Sequence, residues 1–166
     1  MIIWIERPLV LAIHDRQLAE HGGGSGVRDD ALLDSALARP KQLSAYGDPS
    51  PDLAAPTASL AYGLARHHPF VDGNKRTAAV ACETFIVLNG ATLLAGDLEL
   101  YGFYIGLADG SHDEAACAAW LRPGCNPGTS SACMSQHRTT VEIGDLPPLS
   151  LRSSCLDARR LSCWLL

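Results

Sequence analysis

Ten consecutive residues, from His68 to Thr77, carry side chains that together could transfer a group from a nucleotide. The run reads HPFVDGNKRT. His68 is a candidate general base because an imidazole titrates near neutral pH, and Asp72 is a candidate ligand of Mg²⁺. Lys75 and Arg76 follow as adjacent cations that could hold phosphate. The combination predicts a transfer site for a nucleoside triphosphate with Mg²⁺.

Two amphipathic helices joined by a short loop are predicted to position these side chains. Apolar residues recur at helical spacing over residues 54–68 and again over residues 74–89. Pro69 ends the first helix, and Gly73 permits the turn before the second. The run therefore lies at a helix–loop–helix corner, and Phe70 is predicted to anchor the loop in the core.

The start of the second helix is predicted to bind an anion. Its first amides lack partners within the helix, and the helix dipole adds partial positive charge. Helices prefer acidic residues there, so Lys75 and Arg76 are each unfavourable by up to about 1 kcal/mol unless an anion binds. This misfit predicts a phosphate. The candidate binding residues are Gly73, Asn74, Lys75 and Arg76.

Each of these features has an ordinary structural explanation when it occurs alone. A histidine at a helix end is commonly structural, an Asp-Gly pair is commonly a turn, and a Lys-Arg pair is commonly a solvated surface. Only their joint occurrence within ten residues is specific. The adjacent His67 is interpreted as non-catalytic, because consecutive residues on a helix point in different directions.

The run resembles the motif of the Fic/Doc proteins, His-x-Phe-x-Asp/Glu-Gly/Ala-Asn-x-Arg, and matches it at every defined position. The similar segments LAIHDRQLAEHGG, GVRDDALLDSALARP and EAACAAWLR extend the resemblance over about residues 4–122. It implies that His68 is the base, that Asp72 holds Mg²⁺ and that Gly73 is the permissive turn. The implied phosphate contacts are Asn74, Lys75 and Arg76.

The resemblance is closest to the Doc branch of the family. Lys75 stands where nucleotidyl-transferring Fic enzymes typically have Gly, and Ala79 where they typically have Arg. Both differences imply that the γ-phosphate of ATP lies near the attacking hydroxyl. The resemblance thus implies a protein kinase, the toxin of a bacterial toxin–antitoxin pair, acting on a threonine of elongation factor Tu. Phosphoryl transfer depends on positioning and charge, so Lys75 and Arg76 join His68 as catalytic candidates.

Two other functions remain open. A Fic-type nucleotidyltransferase would use His68, Asp72 and Arg76 to transfer AMP, and a non-enzymatic module would keep the fold only to bind an antitoxin. Fic enzymes often carry an inhibitory helix with Ser/Thr-x-x-x-Glu-Gly/Asn, but no Glu of this sequence precedes Gly or Asn. Inhibition is therefore expected from a separate antitoxin protein that folds on binding.

Composition excludes other classes of protein. With 166 residues, 47% of them hydrophobic, the chain can bury one sizeable core. A formal charge of −5 argues against direct nucleic-acid binding. The apolar N-terminal stretch is interrupted by Glu6 and Arg7, so neither a signal peptide nor a membrane span is predicted. The expected location is the cytoplasm.

The expected fold is an all-α, Fic/Doc-like helical bundle, with a short N-terminal strand possible at residues 2–5. The first helix is predicted to run from about Pro8 to the glycines at 22–24. Further helices are predicted at residues 29–38, 54–68, 74–89, 97–108 and 113–121. Ser111 and Glu114 resemble a capping box at the start of the last helix.

Two segments are expected to lie outside the helices. Residues 39–54 contain several Pro and Gly residues and are predicted to be a connecting loop, with substrate docking as the less favoured interpretation. The catalytic domain is predicted to span residues 1–122. Residues 123–166 lack periodicity and are predicted to be a disordered or weakly structured tail. The tail's four cysteines are too irregularly spaced for a zinc site.

Overall fold

Six helices and one pair of short strands make up residues 2–47 and 52–127, which are the part of the chain described by the computed structural model. The helices are α1 (Arg7–His21), α2 (Asp30–Tyr46), α3 (Ala54–His67), α4 (Asn74–Leu88), α5 (Asp97–Asp109) and α6 (Glu114–Gly124). The strands are β1 (Ala91–Leu93) and β2 (Cys125–Pro127), which pair in antiparallel register. The predicted all-α fold is confirmed.

The central helix is α3, which packs against α2, α4, α5 and α6. Most of its residues are buried, and many of them are small, so neighbouring helices can approach closely. At the contact with α2, a Cβ added to Gly63 would lie 2.8 Å from the Cβ of Ala36. Close packing on every side fixes the end of α3, from which the sequence motif continues.

The predicted loop over residues 39–54 is wrong for its first half, because α2 continues through Pro40 to Tyr46. Proline removes one backbone donor from a helix and usually ends or bends it. Here Pro40 is buried, and the packing of α2 on α3 stabilises the helix beyond it. Residues 48–51, to which the docking interpretation also applied, lie outside the described residues.

The N-terminal strand considered for residues 2–5 is absent, since residues 2–6 form no strand. The backbone N–H of Ile3 instead donates to Asn89 Oδ1 at 2.8 Å, and Asn89 Nδ2 donates to the Ile3 carbonyl at 3.0 Å. A side-chain amide therefore satisfies the backbone groups that a neighbouring strand would have satisfied.

The cap of α6 also differs from the prediction. Asp113, and not Ser111, accepts a hydrogen bond from a first-turn amide, that of Ala116, at 2.7 Å. Ser111 instead donates its backbone N–H to Asp109 Oδ1 and its hydroxyl to the Gly106 carbonyl. Both aspartate and serine are good caps, and the turn after α5 decides which of them is in position.

The catalytic domain over residues 1–122 stays a prediction. The compact unit that contains the motif extends to Pro127. The reason is the strand pair, in which Leu93 lies opposite Cys125. Residues 128–166, and with them most of the predicted tail, lie outside the described residues. Within residues 2–47 and 52–127, no helix is both long enough and apolar enough to cross a membrane.

Candidate active site

The predicted corner is present, and His68 occupies its most strained position. Helix α3 ends at His67, and His68 follows in the left-handed conformation with φ 50° and ψ 58°. The prediction that His68 lies inside the helix is wrong, because a residue before proline is disfavoured in the right-handed helical region. Among the described residues, His68 is the one non-glycine residue with positive φ. Such a conformation costs about 1–3 kcal/mol and must be held by its surroundings.

The loop after His68 is held by Phe70 and Asn74. Phe70 is only 1% exposed, which confirms it as the anchor. The side-chain amide of Asn74 bonds both backbone groups of Phe70, accepting from its N–H at 2.9 Å and donating to its carbonyl at 3.0 Å. This side chain is therefore engaged in closing the loop. Its backbone N–H is the group that Asn74 can offer to the predicted phosphate.

Replacing Asn74 with alanine should reduce stability as well as transfer activity. The two buried backbone groups of Phe70 would lose their partners, so the free energy of unfolding should fall by about 1–3 kcal/mol. Urea denaturation measures this change. Gln42→Ala is the control, because Gln42 is an exposed amide on α2. An equal effect of the two substitutions would show that Asn74 does not hold the loop.

Gly73 and the two cations lie at the start of α4, where the anion site is predicted. Gly73 has φ 72° and is the N-cap, as its role in the turn requires. Thr77 donates its N–H to the Gly73 carbonyl at 2.9 Å, so the amides before it belong to the unpaired first turn. Lys75 is exposed and Arg76 is half-buried. Within the described ranges, neither cation forms an ion pair with a carboxylate.

Asp72 is held as an anion beside this helix start. Its Oδ1 accepts the Gly73 amide at 2.6 Å, and its Oδ2 accepts the Gly24 amide at 3.3 Å. The Gly73 hydrogen bond is the largest cause that lowers the pKa of Asp72, with smaller contributions from the Gly24 amide and the charge of Arg76. The exposed carboxylate is therefore ionised at neutral pH, as a Mg²⁺ ligand must be.

The glycines after α1 line the site, although their predicted role was only to end a helix. Gly23 has φ 125°, and a Cβ added there would lie 2.5 Å from Asp72 Oδ2. The carbonyl of Gly22 accepts a hydrogen bond from Arg76 Nη2 at 3.1 Å. A helix end needs only one glycine, so three consecutive glycines were the feature of the sequence that could have indicated a further role for this segment.

Replacing Gly23 with alanine should displace the carboxylate of Asp72, because the new methyl group would overlap Oδ2. We expect Mg²⁺-dependent ATP binding, measured by calorimetry, to weaken by about tenfold, which corresponds to about 1.4 kcal/mol. Gly22→Ala is the matched control. Gly22 also has positive φ, at 72°, but open space surrounds its Cβ position. Equal losses in the two variants would assign the effect to backbone strain alone.

His68 has surroundings suited to a general base. The residue is half-buried, and burial is the largest cause that lowers its pKa. The positive charges of Arg28, Arg66 and Lys75 lower the pKa further, and the neighbouring His67 makes a smaller contribution in the same direction. The imidazole is therefore neutral at pH 7 and can accept a proton.

A second histidine, His14 of α1, lies beneath the loop and was also missed. It is 2% exposed, and its ring stacks on Phe70 with 3.9 Å between centroids. Its Nδ1 lies 3.2 Å from Thr77 Oγ1. Burial lowers the pKa of His14, so it is a neutral packing group. His14 therefore packs α1 against the loop and α4. A lone histidine in an amphipathic helix does not indicate this role in the sequence.

The donor set fits a Mg²⁺–nucleotide complex better than a protein-only metal site. No group of three or more potential metal-binding side chains occurs in the described portion of the chain. Asp72 offers one carboxylate next to an anion site. Mg²⁺ at nucleotide sites is commonly held by one or two carboxylates, phosphate oxygens and water.

Comparison with known proteins identifies the family of this chain. The sequence model of the Fic/DOC family matches residues 4–86. Toxin Doc of Mycolicibacterium smegmatis is 52% identical over 75 residues, covering 45% of this chain and 57% of the relative. The chain thus spans little more than half of that protein. Protein kinase doc of Escherichia phage P1 is 30% identical over 113 residues, covering 68% of this chain and 88% of the relative. The chain belongs to the Fic/DOC family, in its Doc branch.

Proposed function

We propose that this protein is the toxin of a bacterial toxin–antitoxin pair and acts as a protein kinase on a Thr or Ser hydroxyl. The observation that carries the proposal is the pair Lys75 and Arg76 in the first turn of α4. Within the described ranges the two cations have no carboxylate ion-pair partner. A polyphosphate would supply the missing negative charge. The names of the relatives, Toxin Doc and Protein kinase doc, support the same function.

The site's residues can perform each part of a phosphoryl transfer. The neutral imidazole of His68 takes the proton of the target hydroxyl, whose oxygen attacks the γ-phosphorus of ATP. The bond between that phosphorus and the β,γ-bridging oxygen breaks, and ADP leaves. Lys75, Arg76 and the first amides of α4 stabilise the negative charge on the phosphoryl oxygens. Mg²⁺, held by Asp72, would polarise those oxygens as a Lewis acid.

Two positions favour transfer of the γ-phosphate over transfer of AMP. Lys75 is exposed at the proposed anion site, and its side chain would take up space that a glycine would leave for the α- and β-phosphates. Ala79 lies on α4 and is only 2% exposed. Because this residue is alanine, it supplies no second arginine to the site. Both features reduce the room and the charge available for a nucleotide bound in the nucleotidyl-transferring orientation.

Radiolabelled ATP distinguishes the candidate reactions. The protein would be incubated with Mg²⁺, purified elongation factor Tu and ATP labelled at either the γ- or the α-phosphate, with EDTA as the metal-free control. We expect label on the elongation factor from γ-labelled ATP only. Transfer from α-labelled ATP would establish a nucleotidyltransferase instead. Label on another protein of a cell extract would retain the kinase and replace the substrate.

The proposed partner is an antitoxin protein, and the proposed place of action is the cytoplasm, where translation occurs. The antitoxin would inhibit in trans, because no Glu in the sequence precedes Gly or Asn as in the inhibitory helix of many Fic enzymes. A formal charge of −5 disfavours direct binding of nucleic acid. Co-expression with the adjacent reading frame tests the partnership, with restored growth as the expected result.

A further inference from the structure

Arg28 forms hydrogen bonds to the residues before and after His68. The residue lies between α1 and α2, in a segment that runs antiparallel to the motif loop through a bridge between Val27 and Phe70. Its guanidinium Nη2 donates to the His67 carbonyl at 3.0 Å. Its backbone N–H donates to the Pro69 carbonyl at 2.7 Å. The histidine is therefore flanked by two hydrogen bonds from a single residue.

The two hydrogen bonds from Arg28 help to hold His68 in its left-handed conformation. A left-handed conformation is unfavourable for a residue with a Cβ. The carbonyl of His67 also belongs to the last turn of α3, where carbonyls lack partners within the helix. The Arg28 guanidinium satisfies that carbonyl and brings a positive charge to the dipole's negative end, which is a favourable arrangement.

We propose that Arg28 is a positioning residue for His68, which fixes the histidine in its left-handed turn and keeps a positive charge beside the imidazole. The proposal rests on the proposed function for its catalytic consequence, because only then is His68 the base. The restraint of the His68 conformation and the shift of its pKa do not depend on which reaction the protein catalyses. The guanidinium supplies both effects, and the backbone amide of residue 28 would remain in any side-chain variant except proline.

The charges around His68 come from three elements. Arg28 belongs to the segment before α2, Arg66 and His67 belong to α3, and Lys75 belongs to α4. All four lower the pKa of His68, and Arg28 is the largest of these charge contributions, after burial. Removing the charge of Arg28 should therefore raise the pKa of His68, so that the base becomes protonated at a higher pH.

Three substitutions separate the charge from the hydrogen bond. Arg28→Gln removes the charge but keeps a donor, Arg28→Lys keeps the charge but loses the planar fork, and Arg28→Ala removes both. NMR titration of the His68 ring should give a raised pKa in the Gln and Ala variants and a nearly unchanged pKa in the Lys variant. We expect kcat to fall roughly 10- to 100-fold in Arg28→Ala, with little change in KM for ATP.

Arg39→Ala is the control, because Arg39 of α2 pairs with Glu114 of α6 instead of contacting the motif. The proposal fails if the His68 titration and kcat of the Arg28 variants match those of this control. It also fails if Arg28→Ala raises only KM for ATP, since Arg28 would then be a nucleotide contact. If the parent protein transfers no phosphate, the proposed function fails, and the NMR titration still decides the role of Arg28.

Discussion

Replacing His68 with alanine should reduce phosphoryl transfer by about 10²–10⁴-fold, the usual contribution of a general base. The thermal midpoint should change little, because alanine experiences nearly the same left-handed strain as histidine and the imidazole is only half-buried. Initial rates with γ-labelled ATP and a calorimetric melting curve measure the two quantities. In growing cells, the same substitution should remove the growth arrest that is expected from the parent protein.

His67→Ala is the matched control for this prediction. The two histidines are adjacent, but His67 ends α3 and its ring meets Tyr62 edge-on, with 5.7 Å between centroids. We expect His67→Ala to retain most of the activity. If His68→Ala remained as toxic as the parent, the protein would act by binding alone, and the non-enzymatic alternative would replace the kinase.

Replacing Lys75 with alanine should have opposite effects on stability and activity. Transfer should fall by about 10²–10³-fold, as for the loss of other charge-stabilising groups. The protein without nucleotide should become slightly more stable, by a few tenths to about 1 kcal/mol, since a cation leaves the positive end of the α4 dipole. Arg76→Ala should cause a similar loss of activity, but it also breaks the hydrogen bond to the Gly22 carbonyl.

Melting curves with and without Mg²⁺–ATP test the predicted gain in stability of the nucleotide-free protein and the predicted loss of ATP binding in one experiment. A ligand that binds only the folded state raises the melting temperature, and Lys75→Ala should reduce that increase. Lys41→Ala is the control, because Lys41 is the only other lysine of the sequence and pairs with Glu6 on the surface. If Lys75→Ala destabilised the nucleotide-free protein and left the ATP effect intact, the anion-site interpretation would be wrong.

The sequence by itself determined the local features of this protein. The helical spacing of apolar residues predicted α3 and α4 nearly to their ends, and Pro69 and Gly73 predicted the corner between them. Phe70 was predicted as the anchor and is buried. The cations at the start of α4 were also visible in the sequence. All these features depend on residues within a few positions of each other, where backbone geometry links spacing to structure.

Only the tertiary structure decided which distant residues complete the site. The Gly24 amide meets Asp72 across 48 positions of sequence, Arg28 meets the His67 carbonyl across 39, and His14 meets Thr77 across 63. No periodicity connects residues so far apart. Packing also overrode a local rule, because α2 continues through Pro40. Such contacts depend on how helices pack, and packing energy comes from the whole core instead of from any short segment.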